Sequence, residues 1–389
     1  MTSVFILSPL ALENGRGGEI SSIELATGLN KYYKVSFMDT NIYYGEKLLT
    51  EKAINDKMNG LEKIGRIKFA TLNILKRHFN FPYPWEILRL YHQIKKNDII
   101  YTSFSNFKIN FLFMLFSLFH RKGKYIVGYR KPLHSDKLFS LYNLKYRLSI
   151  LFFSRFKKNF YHHSLSKNAK TFLDKFYDPE KVIHIVHGIN LEKYSNNNVE
   201  KERKELLKFC YIGHIDDIHK GVGVLSKGIE ILLEKEKDLK LFFEFCGTGP
   251  LSSKVINLEN RFPDFVKYYG YISNDKIHNY YKSNDVFLFS SRREPFPRAI
   301  MEALAAKLIV ISSKTIGSIE LLQGKKFSFF IEELTPEAIK EKVLEVYNLW
   351  KQNQSKFREL QNLAKEFVFQ NYSSSKEIES FRSLIDKIR

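Results

Sequence analysis

The residues best suited to chemistry lie in one run, Ser-Ser-Arg-Arg-Glu-Pro-Phe-Pro-Arg-Ala-Ile-Met-Glu-Ala-Leu-Ala-Ala, at residues 290–306. Arg298 puts a positive charge at the start of a helical pattern, where the helix dipole favours an anion. Glu302 stands alone among apolar residues. An anionic, hydroxyl-rich ligand would explain both, because helix N-termini and arginines bind phosphate and a carboxylate accepts hydrogen bonds from sugar hydroxyls. The plain alternative is a buried helix with one satisfied glutamate.

A second cation, Lys220, stands before another predicted helix, in the loop at residues 214–221. Two helix N-termini could therefore converge on one diphosphate. The neighbouring acids Asp216 and Asp217 point in different directions and have no third ligand nearby, so we predict no metal site.

A hydrolytic pair of carboxylates is also disfavoured. Glu294 and Glu302 are eight residues apart, and a helix would separate them by about 12 Å. The two carboxylates of glycosidases lie about 5–9.5 Å apart.

Three features of the N-terminal half could bind a ligand or a surface. Gly17 and Gly18 precede a predicted helix and allow backbone to approach a ligand closely. His134 lies in a polar loop after a predicted strand, where open α/β sheets bind ligands, although a solvated histidine is an equal alternative. Residues 137–170 contain no acid and interleave cations with Tyr, Phe and Leu. This composition is typical of a surface against anionic lipid and equally of a solvated helix face.

Short apolar runs alternate with helical patterns along both halves of the chain. Predicted strands lie near residues 4–7, 34–38, 98–102, 125–128, 207–213, 239–246, 266–269, 286–289, 308–312 and 327–331, with a further strand and turn within residues 181–190. This alternation predicts an α/β protein with two doubly wound parallel sheets. A chain of 389 residues is expected to form two domains, with the ligand in the cleft between them.

The composition of the chain limits the classes of partner and the cellular compartment that we expect for the protein. The net charge of +20 indicates an anionic partner, but no zinc-finger, RNA-recognition or helix-turn-helix pattern supports nucleic acid. Cys210 and Cys246 lie in apolar runs and are predicted to be buried thiols in a reducing compartment. Residues 1–8 lack the features of a signal peptide, and no window is apolar enough to span a membrane. We therefore expect a cytoplasmic protein, with peripheral membrane association as an open alternative.

The chain resembles the family 4 retaining glycosyltransferases, which have two Rossmann-like domains in the GT-B fold. The resemblance is strongest from about residue 208 to residue 324, and its most specific element is the Glu294-to-Glu302 spacing in Glu-Pro-Phe-Pro-Arg-Ala-Ile-Met-Glu. Other matching motifs are Tyr211-Ile-Gly213, Lys220-Gly221, Phe245-Cys-Gly-Thr-Gly-Pro250, Tyr269-Gly-Tyr-Ile-Ser273, Gly17-Gly18 and His187-Gly-Ile-Asn190.

The resemblance implies an acceptor-binding domain at residues 1–197 and a nucleotide-sugar-binding domain at residues 206–372. Residues 373–389 would form a helix that packs toward the N-terminal domain. The expected enzyme is a hexosyltransferase-type glycosyltransferase that needs neither metal nor cofactor and uses a UDP- or GDP-sugar as donor. The expected acceptor is a glycan or a lipid-linked molecule. Two alternatives stay open, a sugar-nucleotide epimerase on the same fold and a basic nucleic-acid-binding protein.

The resemblance also implies residue roles. It places His134, Lys220 and Glu294 at the catalytic centre, with Lys220 on the diphosphate and Glu294 on the donor sugar. It places the following residues in substrate binding: Gly17, Gly18, His214, Gly249, Tyr271, Ile272, Phe296, Pro297, Arg298 and Glu302. Among these, Glu302 would hold the ribose and Tyr271 and Ile272 would border the base. His214 departs from the family, which has arginine there, and a neutral histidine stabilises a leaving diphosphate less than a guanidinium does.

Overall fold

The computed structural model of the protein describes residues 1–8, 10–14, 17–42, 49–58, 60–74, 77–103, 107–130, 159–195, 205–236 and 238–389. The strands in these ranges are β1 (Ser3–Leu7), β2 (Lys34–Thr40), β3 (Glu62–Ile67), β4 (Phe69–Ile74), β5 (Arg77–Pro82), β6 (Ile99–Thr102), β7 (Lys124–Tyr129), β8 (Phe160–Ser164), β9 (Val182–His184), β10 (Leu207–Ile212), β11 (Leu241–Cys246), β12 (Val266–Tyr268), β13 (Val286–Phe289), β14 (Ile309–Ser313) and β15 (Ser328–Ile331).

The helices in the same ranges are α1 (Gly17–Leu29), α2 (Glu51–Met58), α3 (Pro84–Lys95), α4 (Phe107–Phe119), α5 (Lys167–Leu173), α6 (Glu192–Ser195), α7 (Val222–Lys235), α8 (Ser252–Arg261), α9 (Ile277–Lys282), α10 (Arg298–Ala305), α11 (Ile316–Leu322), α12 (Pro336–Gln352), α13 (Gln354–Asn371) and α14 (Ser374–Ile388). None of these described helices is long and apolar enough to cross a membrane.

The chain divides into two compact units. Unit 1 contains Met1–His187 together with Ser374–Arg389, and unit 2 contains Gly188–Ser373. The chain thus passes from unit 1 to unit 2 after His187 and returns after Ser373. Each unit has its own parallel sheet, which confirms the predicted α/β class with two doubly wound sheets.

Unit 1 has a seven-stranded sheet in the order β3-β2-β1-β6-β7-β8-β9. Its strands are buried apolar runs because helices cover both faces of a parallel sheet. One face packs against α1 and α14, where Phe381 and Ile385 of α14 join the same core as Ile23 of α1. Gly28 permits this approach, since a Cβ there would lie 2.2 Å from Ile378 Cδ1. The other face packs against α3 and α4.

Unit 2 has a six-stranded sheet in the order β12-β11-β10-β13-β14-β15. Its two central strands, β10 and β13, are neighbours and parallel, with Phe209 opposite Val286 and Cys210 opposite Phe287. Since parallel neighbours end at the same edge of a sheet, the loops after β10 and β13 lie side by side. Cys210 and Cys246 are buried free thiols, as predicted.

The sequence-based assignment missed one part of unit 1. Between β2 and β6 the structure has α2, β3, the antiparallel hairpin of β4 and β5, and α3. The start of α10 also differs by one residue. Pro297, predicted as the first helical residue, is the N-cap with extended backbone (φ −85°, ψ 98°), and Arg298 begins the helix.

Candidate functional site

The loop between β10 and α7 is shaped by two adjacent carboxylates. Asp216 Oδ1 accepts hydrogen bonds from the backbone N–H groups of His219 (2.7 Å) and Lys220 (3.0 Å). Asp217 Oδ1 accepts from the N–H of Gly223 at 3.1 Å. Both acids therefore hold backbone rather than face a common ion. The described residues contain no group of three or more metal-ligating side chains.

The loop between β13 and α10 is tied to this first loop. Ser290 Oγ donates to the carbonyl of Lys220 at 2.8 Å, and the N–H of Arg292 donates to the carbonyl of His219 at 2.8 Å. Gly221 turns the chain into α7 with φ +63°, and a Cβ there would lie 2.4 Å from the Ser290 carbonyl oxygen. Only glycine combines this left-handed backbone with so close a neighbour. The two loops therefore form one rigid edge.

At this edge the Lys220 ammonium contacts the Glu294 carboxylate, with Nζ 2.8 Å from Oε2. The side chains are 27% and 21% exposed, so both can still reach a ligand from solvent. The segment that carries Glu294 is held by a third element, because the Glu294 carbonyl accepts from the N–H of Gly317 at 3.0 Å. Gly317 lies in the first turn of α11, and a Cβ there would lie 2.6 Å from the Pro295 oxygen. The structure thus brings together Lys220 and Glu294, two of the three residues predicted at the catalytic centre.

The remaining predicted residues of the 290–306 run lie in helix α10 and in the two residues before it. Phe296 is buried and packs against Tyr372 at a ring distance of 5.8 Å, and Pro297 is buried beside it. Arg298 and Glu302 are one helical turn apart and therefore share a face of α10. Both are half-buried. Burial raises the pKa of the nearby Tyr281 well above its usual value, and the charge of Glu302 adds to that rise.

Three of the predicted substrate-binding residues follow β11 and β12 and lie at the same edge of the sheet: Gly249, Tyr271 and Ile272. Gly249 is needed for packing, because a Cβ there would lie 2.4 Å from the Ile215 carbonyl oxygen. Tyr271 is partly exposed, and Ile272 lies next to the Cys246 thiol, whose pKa burial raises to about 12. His214 Nε2 lies 3.9 Å from Asp216 Oδ2. These positions surround the carboxyl ends of β10, β11 and β12, where open α/β sheets bind ligands.

In unit 1, Gly17 and Gly18 are the first two residues of α1 rather than a loop before it. Both are exposed, and a Cβ at either would have no atom within 4 Å, so the space beside them is open. The predicted catalytic residue His134 lies outside the described residues, and so does most of the 137–170 interval.

Sequence reasoning missed Arg130, at the end of β7. It is buried, and Nη1 donates to the Gly18 carbonyl at 2.8 Å and to Ser21 Oγ at 2.5 Å. Arg130 therefore fixes the first turn of α1 against the sheet edge. Arg130 belongs to the same predicted polar loop as His134, but nothing in that loop indicates its partner 112 residues earlier in the chain. A second missed group is Arg66, which pairs with both Asp39 and Glu13 at 2.6 Å.

Comparison with known proteins finds a family model that matches part of the chain. Residues 192–360 match the family model of the glycosyl transferases group 1. The putative teichuronic acid biosynthesis glycosyltransferase TuaC of Bacillus subtilis is 28% identical over 174 residues, which are 42% of this chain and 41% of TuaC. The capsular polysaccharide biosynthesis glycosyltransferase CapM of Staphylococcus aureus is 27% identical over 171 residues, which are 42% of this chain and 44% of CapM. The chain therefore spans less than half the length of these relatives.

Solved structures extend the likeness to the whole fold. The crystal structure of Anabaena HepE in complex with UDP and glucose aligns over 100% of both chains with a TM-score of 0.73, at 14% identity. This likeness confirms the predicted GT-B fold. The matched region runs from α6 into α13 and includes Lys220, Glu294 and Glu302. Over these residues the chain is therefore similar to the glycosyl transferases group 1.

Proposed function

We propose that the protein is a glycosyltransferase that transfers a sugar from a UDP- or GDP-sugar to a glycan or lipid-linked acceptor, with retention of configuration and without a metal. The observation that carries this proposal is the contact of Lys220 with Glu294 at the edge where the loops after β10 and β13 are tied together. An ammonium group and a carboxylate at one sheet edge suit a diphosphate and a sugar. The names of TuaC and CapM as polysaccharide-biosynthesis glycosyltransferases, and the UDP and glucose bound to HepE, support the same class of reaction.

The reaction breaks the bond between the anomeric carbon of the donor and the diphosphate oxygen. The electron pair of that bond goes to the leaving diphosphate, and the acceptor hydroxyl oxygen forms the new bond to the same carbon. The proton of that hydroxyl passes to the leaving diphosphate. In this proposal Lys220 stabilises the growing negative charge, together with Arg298 and the positive end of the α10 dipole. Fixed donors of this kind do not need to reorganise during the reaction. Because Phe296 and Pro297 are buried, they act by setting the position of that helix start.

Binding of the nucleoside is assigned to the half-buried Glu302 and to the exposed edge near Tyr271. A carboxylate accepts two hydrogen bonds from the adjacent hydroxyls of a ribose. Partial burial strengthens such bonds relative to those in bulk water. Gly249 supports this edge through its close packing with the loop after β10.

The proposal is tested by ligand-induced stabilisation and by product analysis. A panel of nucleotide sugars is screened by thermal shift, since a ligand that binds the folded state raises the melting temperature by mass action. Glu302→Gln should lose most of the shift given by the best donor. The matched control is Glu259→Gln, a partly exposed helical glutamate of the same unit that pairs with Lys267 at 2.8 Å.

Incubation of the best donor with and without acceptor then separates the candidate reactions. A new glycoside formed only with acceptor supports transfer, and an epimerised donor without acceptor would assign the epimerase activity instead. An equal shift in Glu302→Gln and wild type would remove Glu302 from the site.

A further inference from the structure

Helix α4 presents apolar side chains on both of its sides. Its inner side packs in the core of unit 1 through Ile109, Leu112, Phe113 and Phe116. The exposed side chains described on its outer side are also all apolar: Phe111, Leu115, Leu118 and Phe119. A surface helix of a globular protein normally carries polar residues on the side that faces solvent. The outer side of α4 therefore has the composition of a surface that contacts something.

Helix α3 extends this surface. Its Tyr91 packs against Phe116 at 5.2 Å and against Phe119 at 6.4 Å, so the two helices are neighbours on one face of the sheet. At the start of α3, Trp85 and Leu88 are exposed, and Trp85 stacks on Tyr83 with ring centres 4.6 Å apart. We use the name α3–α4 surface for the following exposed side chains: Trp85, Leu88, Phe111, Leu115, Leu118 and Phe119.

Cations border this surface at one end. Exposed Lys95 and Lys96 lie at the end of α3, and exposed Arg121 and Lys122 follow α4. The strands that begin after them are paired, with Ile99 opposite Lys124, so the two helix ends lie at the same edge of the sheet.

Acidic residues do not balance these cations. Residues 83–124 contain seven Lys or Arg and two acids. Of the acids, Glu86 is buried, and Asp98 accepts hydrogen bonds from the N–H and the hydroxyl of Ser3. The border of the α3–α4 surface is therefore positively charged, which suits an anionic partner.

We propose that the α3–α4 surface docks on an anionic lipid bilayer, with both helices lying in the plane of the interface. The 13 residues of α4 extend about 20 Å, which is shorter than the roughly 30 Å of a hydrocarbon core. An aromatic and aliphatic side with cations at its border is the composition of helices that lie in the interface. Trp85 and Tyr83 are of the types enriched at the level of the lipid headgroups.

The charge distribution favours a bilayer over a second copy of the chain. A second copy would bring the same cations and no compensating acids, and like charges facing each other oppose association. The proposal is independent of the 137–170 interval and of the transfer reaction, so its test does not require enzymatic activity.

The first experiment is flotation of the full-length protein with lipid vesicles. The protein should float with vesicles of phosphatidylcholine mixed with phosphatidylglycerol, and weakly with phosphatidylcholine alone. The double variant Leu88→Gln and Phe119→Gln replaces side chains that are 69% and 70% exposed, so it should leave the melting temperature unchanged and reduce binding on the order of tenfold. The control Ile256→Gln with Leu363→Gln removes two exposed apolar side chains of unit 2 and should bind like wild type.

The cations are tested in the same assay. Replacing Arg121 and Lys122 by Gln should reduce binding to the phosphatidylglycerol vesicles about fivefold for each charge removed. The same variant should bind phosphatidylcholine vesicles as wild type does. Added salt should weaken the wild type more than this variant, because salt screens the attraction between cations and headgroups.

A second experiment reports contact with lipid directly. The chain has two tryptophans, so Trp350→Phe leaves Trp85 as the single tryptophan. Its fluorescence should shift to the blue on addition of anionic vesicles and should be quenched by brominated lipid. Equal flotation of wild type and the Leu88/Phe119 variant, or no change in Trp85 fluorescence, would overturn the proposal. Dimerisation that the Leu88/Phe119 variant abolishes, without vesicle binding by the wild type, would assign the surface to a second copy instead.

Discussion

Replacement of Lys220 tests whether the contact at the sheet edge serves catalysis or stability. The change is Lys220→Ala, and unit 2 provides a matched control in Lys227→Ala. Both lysines pair with a glutamate at nearly the same distance, 2.8 Å from Glu294 for Lys220 and 2.7 Å from Glu230 for Lys227. Only Lys220 lies where the two loops meet.

The two variants should have similar stability. Both pairs are partly exposed, and pairs of that kind contribute about 0–1 kcal/mol because solvent screens the attraction. The loop before α7 should also keep its form in Lys220→Ala, since Asp216 binds the backbone N–H of residue 220 and not its side chain. We therefore expect each free energy of unfolding to fall by less than about 1 kcal/mol.

The two variants should differ in turnover. Removing one preorganised donor to a developing oxyanion costs about 2.7–4 kcal/mol of transition-state stabilisation, or roughly 100- to 1000-fold in kcat. Lys220→Ala should lose that much, and Lys220→Arg should recover part of it because arginine also carries a charge. Lys227→Ala should keep the wild-type rate.

The assay combines urea unfolding with initial rates of sugar transfer, measured with the donor found by thermal shift. Wild-type kcat in Lys220→Ala would refute the proposed role of the ammonium group. Equal losses of rate in the Lys220 and Lys227 variants would also refute it. A loss of several kcal/mol in stability for Lys220→Ala would show that the contact serves mainly to hold the fold.

Three further predictions concern the turn at Gly221, the pH dependence of stability, and His214, where the chain departs from the family that it resembles. Gly221→Ala should lower the free energy of unfolding, measured in urea titrations, by about 1–3 kcal/mol more than Gly270→Ala does. Both glycines have φ near +65°, but only a Cβ at residue 221 would meet a neighbouring carbonyl. Burial lowers the pKa of His162 and of His163 to about 3. The unfolded state therefore binds more protons below about pH 6.5, and each histidine should remove up to about 1.4 kcal/mol of stability per pH unit as the pH falls through that window. His214→Arg should raise kcat several-fold at neutral pH, because a guanidinium carries a permanent positive charge and can donate two hydrogen bonds to a phosphate.

Each of these has a clear contrary result. Equal destabilisation by alanine at 221 and at 270 would mean that the close contact relaxes at no cost. Stability that is constant between pH 6.5 and about pH 4 would mean that the two histidines are charged in the folded protein. An unchanged kcat in His214→Arg would place that side chain away from the leaving group.

Sequence was sufficient where the physical signal is local. The strand Val286–Phe289 was predicted with the bounds that the structure has, because a parallel strand buried on both faces is a continuous apolar run. The segment between β2 and β6 was missed because the hairpin of β4 and β5 has no such run, with polar residues spread through both strands. Its pairing is antiparallel and outside the two main sheets, so the alternation of strands and helices did not indicate it.

The family resemblance led us to expect Lys220 and Glu294 at one site, but it did not predict their direct contact. The two residues lie 74 positions apart in the chain. Their contact depends on β10 and β13 being neighbours in the sheet, and strand order is a property of the whole fold. Arg130 was missed because its buried partner, the first turn of α1, is 112 residues away. The role of His134 stays a prediction.

The passage of the chain through the two units has a consequence for its biosynthesis. Unit 2 is one continuous segment, whereas the core of unit 1 is completed by Phe381, Leu384, Ile385 and Ile388 of α14. Domains usually fold in the order in which the ribosome releases them. Here the sheet of unit 1 leaves the ribosome first, and the part of its core that α14 covers stays exposed while unit 2 is synthesised and folds. We therefore expect chaperones to bind unit 1 during translation. A ribosome that stalls before Ser374 would release a chain in which unit 2 is folded and unit 1 still lacks α14.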